Sequence, residues 1–105
     1  MTIRYTPETI RALQELHHYI SQTLCNPKAA TRISKGILDS CSKLKQHPQL
    51  GMPLEAKIST PTDLRYLTCE KHIAFYRIDG DVISIARIID GKQDYLRILF
   101  GNEDT

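Results

Sequence analysis

The 105-residue chain has no apolar run near the ~20 residues that a membrane span needs, and no charged-then-apolar leader opens it. Those absences exclude a helical membrane protein and make the cytoplasm the expected location. Cysteine is scarce: Cys25, Cys41 and Cys69 are odd in number and lack metal-type spacing. They are read as reduced, small buried hydrophobes, and no metal or other cofactor is expected. A surplus of one charge is missing too. The net charge is only +2, short of the strongly basic balance that nucleic acid rewards. There is no internal repeat and no low-complexity segment, so residues 1–105 are read as one domain with one modest core.

What is present is organised around Leu64 to Phe100. Three β-prone runs, Leu64–Cys69, His72–Asp79 and Val82–Asp90, are separated only by Glu70-Lys71 and by the turn at Gly80. Glycine supplies the positive φ that such a hairpin turn demands. Three successive antiparallel strands follow, with Thr2–Tyr5 as a further edge strand. A short strand is expected around Glu55–Ile58 within the Pro- and Gly-bordered loop 49–63. Lys92–Phe100 carries Tyr95, Leu96, Leu99 and Phe100 at helical spacing, and Gly101–Thr105 is read as a frayed end.

Upstream, Thr6-Pro7-Glu8 and Asn26-Pro27 each place a capping side chain before a proline suited to the first helical position. The first helix is predicted to bury Ile10, Leu13, His17, Ile20 and Leu24. The second is predicted to bury Ala30, Ile33, Ile37, Cys41 and Leu44, to pair Asp39 with Lys43, and to use Gly36 for close helix–helix approach. His47-Pro48 ends it. Residues 28–47 carry Lys28, Arg32, Lys35, Lys43 and Lys45 against Asp39, a local +4 that suits either an anionic partner or a solvated face. The fold class is α+β: an N-terminal strand, an antiparallel helical hairpin packed on an antiparallel sheet of about four strands, and a short C-terminal helix.

This order resembles the RelE/ParE superfamily of toxins from bacterial toxin–antitoxin operons. Pro48–Pro53 is similar to the loop after that family's second helix, and Leu64-Arg65-Tyr66 to its arginine-bearing strand opening. Tyr76–Asp81 resembles its hairpin, and Ile85–Asp94 the tail of ParE-like members. The resemblance implies a toxin neutralised by a cognate antitoxin whose chain wraps around it. It also implies one of two activities. The first expectation is ribosome-dependent cleavage of mRNA without a metal; the alternative is non-nuclease inhibition of DNA gyrase, or an inactive relative that only binds antitoxin.

Metal-free cleavage sends a 2′-OH against the adjacent phosphate, which takes a base, an acid and fixed cations. The resemblance implies Arg65 and Arg87 on the phosphate, Glu55 as base, and Tyr95 as a stacking or proton-donating group, with Lys57 and Lys92 binding RNA. Each has a structural alternative. Arg65 could make a structural salt bridge, and Glu55 could be a solvated loop acid. Tyr95 shares a stripe with Leu99. Arg87 has the parity of Ile83, Ile85 and Ile89, which would put it at the end of the core face, paired with Asp90 or Asp94. Against the nuclease pattern, Asp90 stands where many members carry histidine, and residues 73–105 contain none.

Overall fold

Both helices begin where a capping side chain precedes a proline. In the computed structural model, which describes residues 1–101, Thr6 Oγ1 accepts the Thr9 N–H at 3.2 Å and Pro7 opens α1 (Pro7–His18). Asn26 Oδ1 accepts the Ala29 N–H at 3.1 Å and Pro27 opens α2 (Pro27–Ser42). Between them the helical chain widens into a π turn over Tyr19–Thr23, and Cys25 reverses it at φ +53°. After α2 the chain tightens into a 3-10 turn over Lys43–Lys45 and stops short of His47-Pro48.

The apolar stripe of α2 lies as read, with Ala30, Ile37, Cys41 and Leu44 buried. That of α1 is displaced by one position. Thr9 and Ile20 are buried and Leu13 and Leu16 half-buried, whereas Ile10, His17 and Leu24 are exposed. The cause is polar: Thr9 is drawn inward to the sheet by its hydroxyl. His17, predicted to be buried, is exposed, and its Nδ1 meets Ser34 Oγ of α2 at 3.2 Å. Cys25, expected inside, is exposed at the hairpin tip. Asp39 pairs with Lys35 (2.9 Å) rather than Lys43, and both side chains are solvated, so the pair adds only a few tenths of a kcal/mol. Gly36 faces not α1 but the Glu70 carboxylate, 3.6 Å from where a Cβ would stand.

The sheet is built from β1 (Thr2–Tyr5), β2 (Met52–Pro53), β3 (Arg65–Cys69), β4 (His72–Asp79) and β5 (Val82–Asp90), in the order β1-β5-β4-β3-β2. The α+β class stands. The sheet has five strands, and β1 runs parallel to β5, with Thr2 opposite Val82 and Tyr5 opposite Ile85. The strand expected at Glu55–Ile58 is absent. Pairing with β3 occurs two residues earlier, and Leu54–Ala56 curls into a 3-10 turn that buries Leu54 completely. Two-residue turns join β3 to β4 (Glu70-Lys71, with Glu70 at φ +58°) and β4 to β5 (Gly80-Asp81, with Gly80 at φ +61°). Asp94 caps α3 (Tyr95–Phe100), which is shorter than read, and Gly101 ends it in the left-handed conformation. Beyond Gly101, the frayed end expected from the sequence lies outside the described residues.

A β-bulge decides which residues share a face. Phe75 opposes Arg87 but Tyr76 opposes Ile85, so Ala86 is an extra residue in β5. Before it, Ile83 and Ile85 point at the helices, into one core with Cys41, Leu44 and Tyr76. After it the alternation inverts: Ile88 joins that core, and Ile89 joins Phe75, Leu64 and Leu54 in a second core under α3. The carbonyls freed by the bulge are claimed by the start of α1. Thr6 Oγ1 donates to Ala86 O and Thr9 Oγ1 to Ile85 O, both at 3.0 Å, and the Thr6 N–H also reaches Ile85 O. One threonine thus caps a helix and satisfies a bulge. Thr6→Ala should cost about 2 kcal/mol, since cap and carbonyl partner go together. Thr9→Val should cost about 1 kcal/mol, because Ile85 O keeps the Thr6 N–H. Urea unfolding of both variants should rank them in that order.

Candidate functional site

The α3 face of the sheet gathers cation and aromatic rings. Leu54 is anchored at the start of its 3-10 turn, and the turn delivers Lys57 over the sheet. Its Nζ lies 5.0 Å from the ring centre of Tyr66 and 5.7 Å from that of Tyr95. Tyr95, projected by the first turn of α3, packs on Phe75 with ring centres 5.4 Å apart. Across β4 from Tyr66, and opposite Phe75, stands Arg87, half-buried. Arg87 shares this face with Ile89, not with Ile83 and Ile85, because Ala86 resets the alternation. Sequence parity alone therefore misplaced it. It forms no ion pair with Asp90 or Asp94 among the described residues.

Arg65 is elsewhere. It opposes Tyr76 and shares the helix-facing side with Leu67 and Cys69. Its Nη2 donates to the carbonyls of Gly51 (2.7 Å) and Gln49 (3.4 Å), and its Nε is buried without a partner. Beside it the buried Tyr76 hydroxyl accepts the Gly51 N–H at 2.9 Å and donates to Pro48 O at 2.8 Å. Arg65 and Tyr76 together pin the loop 48–51 to the sheet. The alternative foreseen for Arg65, a salt bridge, is replaced by bonds to backbone carbonyls. Arg65→Ala should lower stability by about 2 kcal/mol, because a carbonyl loses a charged donor. Arg65→Lys should recover part of it, since an ammonium supplies only a point donor. Thermal melts of both variants check this, and a melt unchanged by Arg65→Ala would mean that the guanidinium does not hold the loop.

The other expected residues are dispersed. Glu55 is exposed and its carboxylate accepts the Thr62 N–H at 3.0 Å, closing the loop 55–62. Lys92 is exposed in the turn after β5, where its N–H bonds Asp90 Oδ1 at 2.8 Å. It rims a cleft of about 520 Å³ that opens on the α1 side and has Leu13, Leu16 and Ile88 among its lining residues. The structure thus brings Lys57 to Tyr95, puts Arg87 on the same face of the sheet, and puts Arg65 on the opposite one. Tyr66 and Phe75 were missed as members of the cluster. Their signal was the alternation Leu64, Tyr66 on one run and Ile73, Phe75 on the next, which puts all four on one face.

The assembled patch can hold a phosphate, stack a base or meet a carboxylate. Among the described residues, the Glu55 carboxylate accepts the Thr62 N–H and the Asp94 carboxylate the Arg97 N–H at the start of α3. No helix among the described residues is long and apolar enough to cross a membrane. No curated protein matches the chain significantly. Among solved structures, it is similar to a chain of the chromosomal ParDE toxin–antitoxin system from P. aeruginosa. The two are 26% identical with a TM-score of 0.70, over 86% of this chain and 95% of that one. The model of the ParE toxin of the type II toxin–antitoxin system parDE matches residues 3–95. With that match over most of its length, the chain belongs to the ParE toxin family of type II toxin–antitoxin systems.

Proposed function

We propose that this toxin arrests growth in the cytoplasm by binding DNA gyrase and blocking it, with its cognate antitoxin as the silencing partner. The observation that carries this reading is the division of the two candidate phosphate-binding arginines between opposite faces of the sheet. Cleavage of RNA needs fixed cations, a base and an acid around a single phosphorane. Arg65 is engaged by backbone carbonyls on the helix side, and among the described residues Glu55 and Asp94 each hold a backbone N–H. Inhibition of a protein target needs only a complementary surface, and the family match with a ParE toxin points the same way.

The patch of Lys57, Tyr66, Tyr95 and Arg87 favours the second reading, contact with ribosome-bound mRNA through cation and ring stacking. One experiment divides the two. Purified toxin is incubated with gyrase, ATP and supercoiled plasmid, and in parallel with ribosomes programmed with mRNA. Gyrase-dependent DNA breaks or lost supercoiling, with intact message, are the expected result. Message cut in the decoding site with gyrase unaffected would overturn the proposal.

A further inference from the structure

The sheet carries its helical hairpin on one face only. Ile3 and Tyr5 of β1 and Ile83 and Ile85 of β5 point at α1 and α2, so Arg4 and Ser84 point the other way. On that second face α3 covers Phe75, Ile89 and their neighbours, beyond the bulge. Before the bulge the face is open, and it is charged. Arg4 stands opposite Ser84, and Ser84 opposite Arg77, in one row across β1, β5 and β4. The next row on this face begins with Arg87, opposite Phe75. A cleft of about 360 Å³ opens in this half, with Arg4, Asp63, Arg77, Ser84 and Ala86 in its wall. The Arg77 Nε donates to Asp63 Oδ1 at 2.8 Å, a bond that fixes the guanidinium plane and leaves the two terminal nitrogens for a further partner. Arg4 and Arg87 make no ion pair among the described residues.

We propose that this open half-face is the surface by which the toxin holds its target protein. Its occupant is an acidic segment of that protein, with one carboxylate seated between Arg4 and Arg77 and a second on Arg87. The proposal rests on the gyrase reading above. Charge gives the sign of the occupant: of the three arginines on the face, Asp63 answers Arg77 alone among the described residues. A guanidinium is a planar fork that pairs with a carboxylate through two parallel bonds. Adjacent strands lie about 4.8 Å apart, so Arg4 and Arg77 rise from backbones about 10 Å apart and flank one side chain laid over Ser84. Charge also separates a protein from a nucleic acid. Asp63 and Asp79 stand in the cleft wall among the arginines, and a phosphate backbone, charged at every step, would meet both. Discrete carboxylates spaced by neutral residues avoid them. The face continues past Arg87 through Phe75 to Tyr66 and Tyr95, and arginine and tyrosine are the residue types that dominate binding energy at protein interfaces.

The test uses the full-length toxin and purified gyrase without DNA, with affinity read by surface plasmon resonance and inhibition by plasmid supercoiling. Arg4→Glu and Arg87→Glu should each weaken binding by about tenfold or more and lose inhibition in proportion. Wild-type affinity should fall as salt rises. Arg4 is exposed and makes no ion pair among the described residues, so its variant should melt as the parent does and decides the matter even if Arg87→Glu does not fold. Lys28→Glu, an equal charge change at an exposed position of α2, should bind gyrase as the parent does. Arg4→Glu with parental affinity, or Lys28→Glu with an equal loss, would overturn this surface while leaving gyrase as the target. A wild-type toxin that neither binds nor inhibits gyrase would overturn the gyrase reading, and this proposal with it. A fluorescent DNA duplex bound by the wild type and released by both arginine variants, with gyrase affinity unchanged, would make the occupant nucleic acid instead.

Discussion

Gly51→Ala should destabilise the toxin strongly, with a loss of about 3 kcal/mol or more. A Cβ built there would stand 2.5 Å from the Tyr66 carbonyl oxygen and 2.7 Å from the Tyr76 ring and hydroxyl. None of these can yield cheaply. The Tyr66 carbonyl is sheet backbone, and Tyr76 is completely buried. The native margin of a small domain is only about 5–15 kcal/mol, so one such clash is a large share of it. Gly36→Ala is the matched control. Its Cβ would meet only the Glu70 carboxylate at 3.6 Å, an ordinary contact, and alanine is worth up to ~1 kcal/mol over glycine inside a helix. Urea melts should show the two substitutions moving stability in opposite directions. A Gly51→Ala protein as stable as the parent would mean that the loop 48–51 is not seated on the sheet as described.

Tyr76→Phe should cost about 3 kcal/mol, although ring and packing remain. The hydroxyl it deletes is the partner of two backbone groups, the Gly51 N–H and the Pro48 carbonyl. Each buried group left unpaired costs ~1–3 kcal/mol, far more than the modest net value of the bonds themselves. The melting midpoint should fall by more than about 10 °C. The Arg65→Ala variant removes the other tether on the same loop, so the double variant should lose less than the sum of the singles. A double-mutant cycle that adds exactly would show that the two side chains hold the loop independently.

Those two tethers also show where sequence reading stops. Local chemistry was legible: Thr6-Pro7 and Asn26-Pro27 declare helix starts, and the two-residue gaps at Glu70-Lys71 and Gly80-Asp81 declare hairpins. Lys57, Tyr95 and Arg87, three of the six residues the resemblance implied, fall on one face of the sheet. What escaped was set by distant partners. The displacement of the α1 stripe depends on a carbonyl 76 residues away from Thr9. The face of Arg87 depends on one extra residue at Ala86, which alternation counting reads as ordinary strand. The partners of Arg65 are backbone carbonyls, and carbonyls carry no signature in a sequence.

The parallel pairing of β1 with β5 has a kinetic consequence. β3, β4 and β5 form from neighbours in the chain, and the two helices need only a short connection, so both units can form early. β1 is made first yet has no partner until the chain has supplied β5, and the Thr6 bond to Ala86 closes across 80 residues. Docking of the first strand is therefore a late, long-range event, paid in loop entropy before any contact returns it. Substitutions at Thr6 and Thr9 should accordingly speed unfolding and leave the folding rate almost unchanged. A chain whose first strand is the last to seat spends its unfinished time with the β5 edge bare, and such an edge pairs readily with another strand.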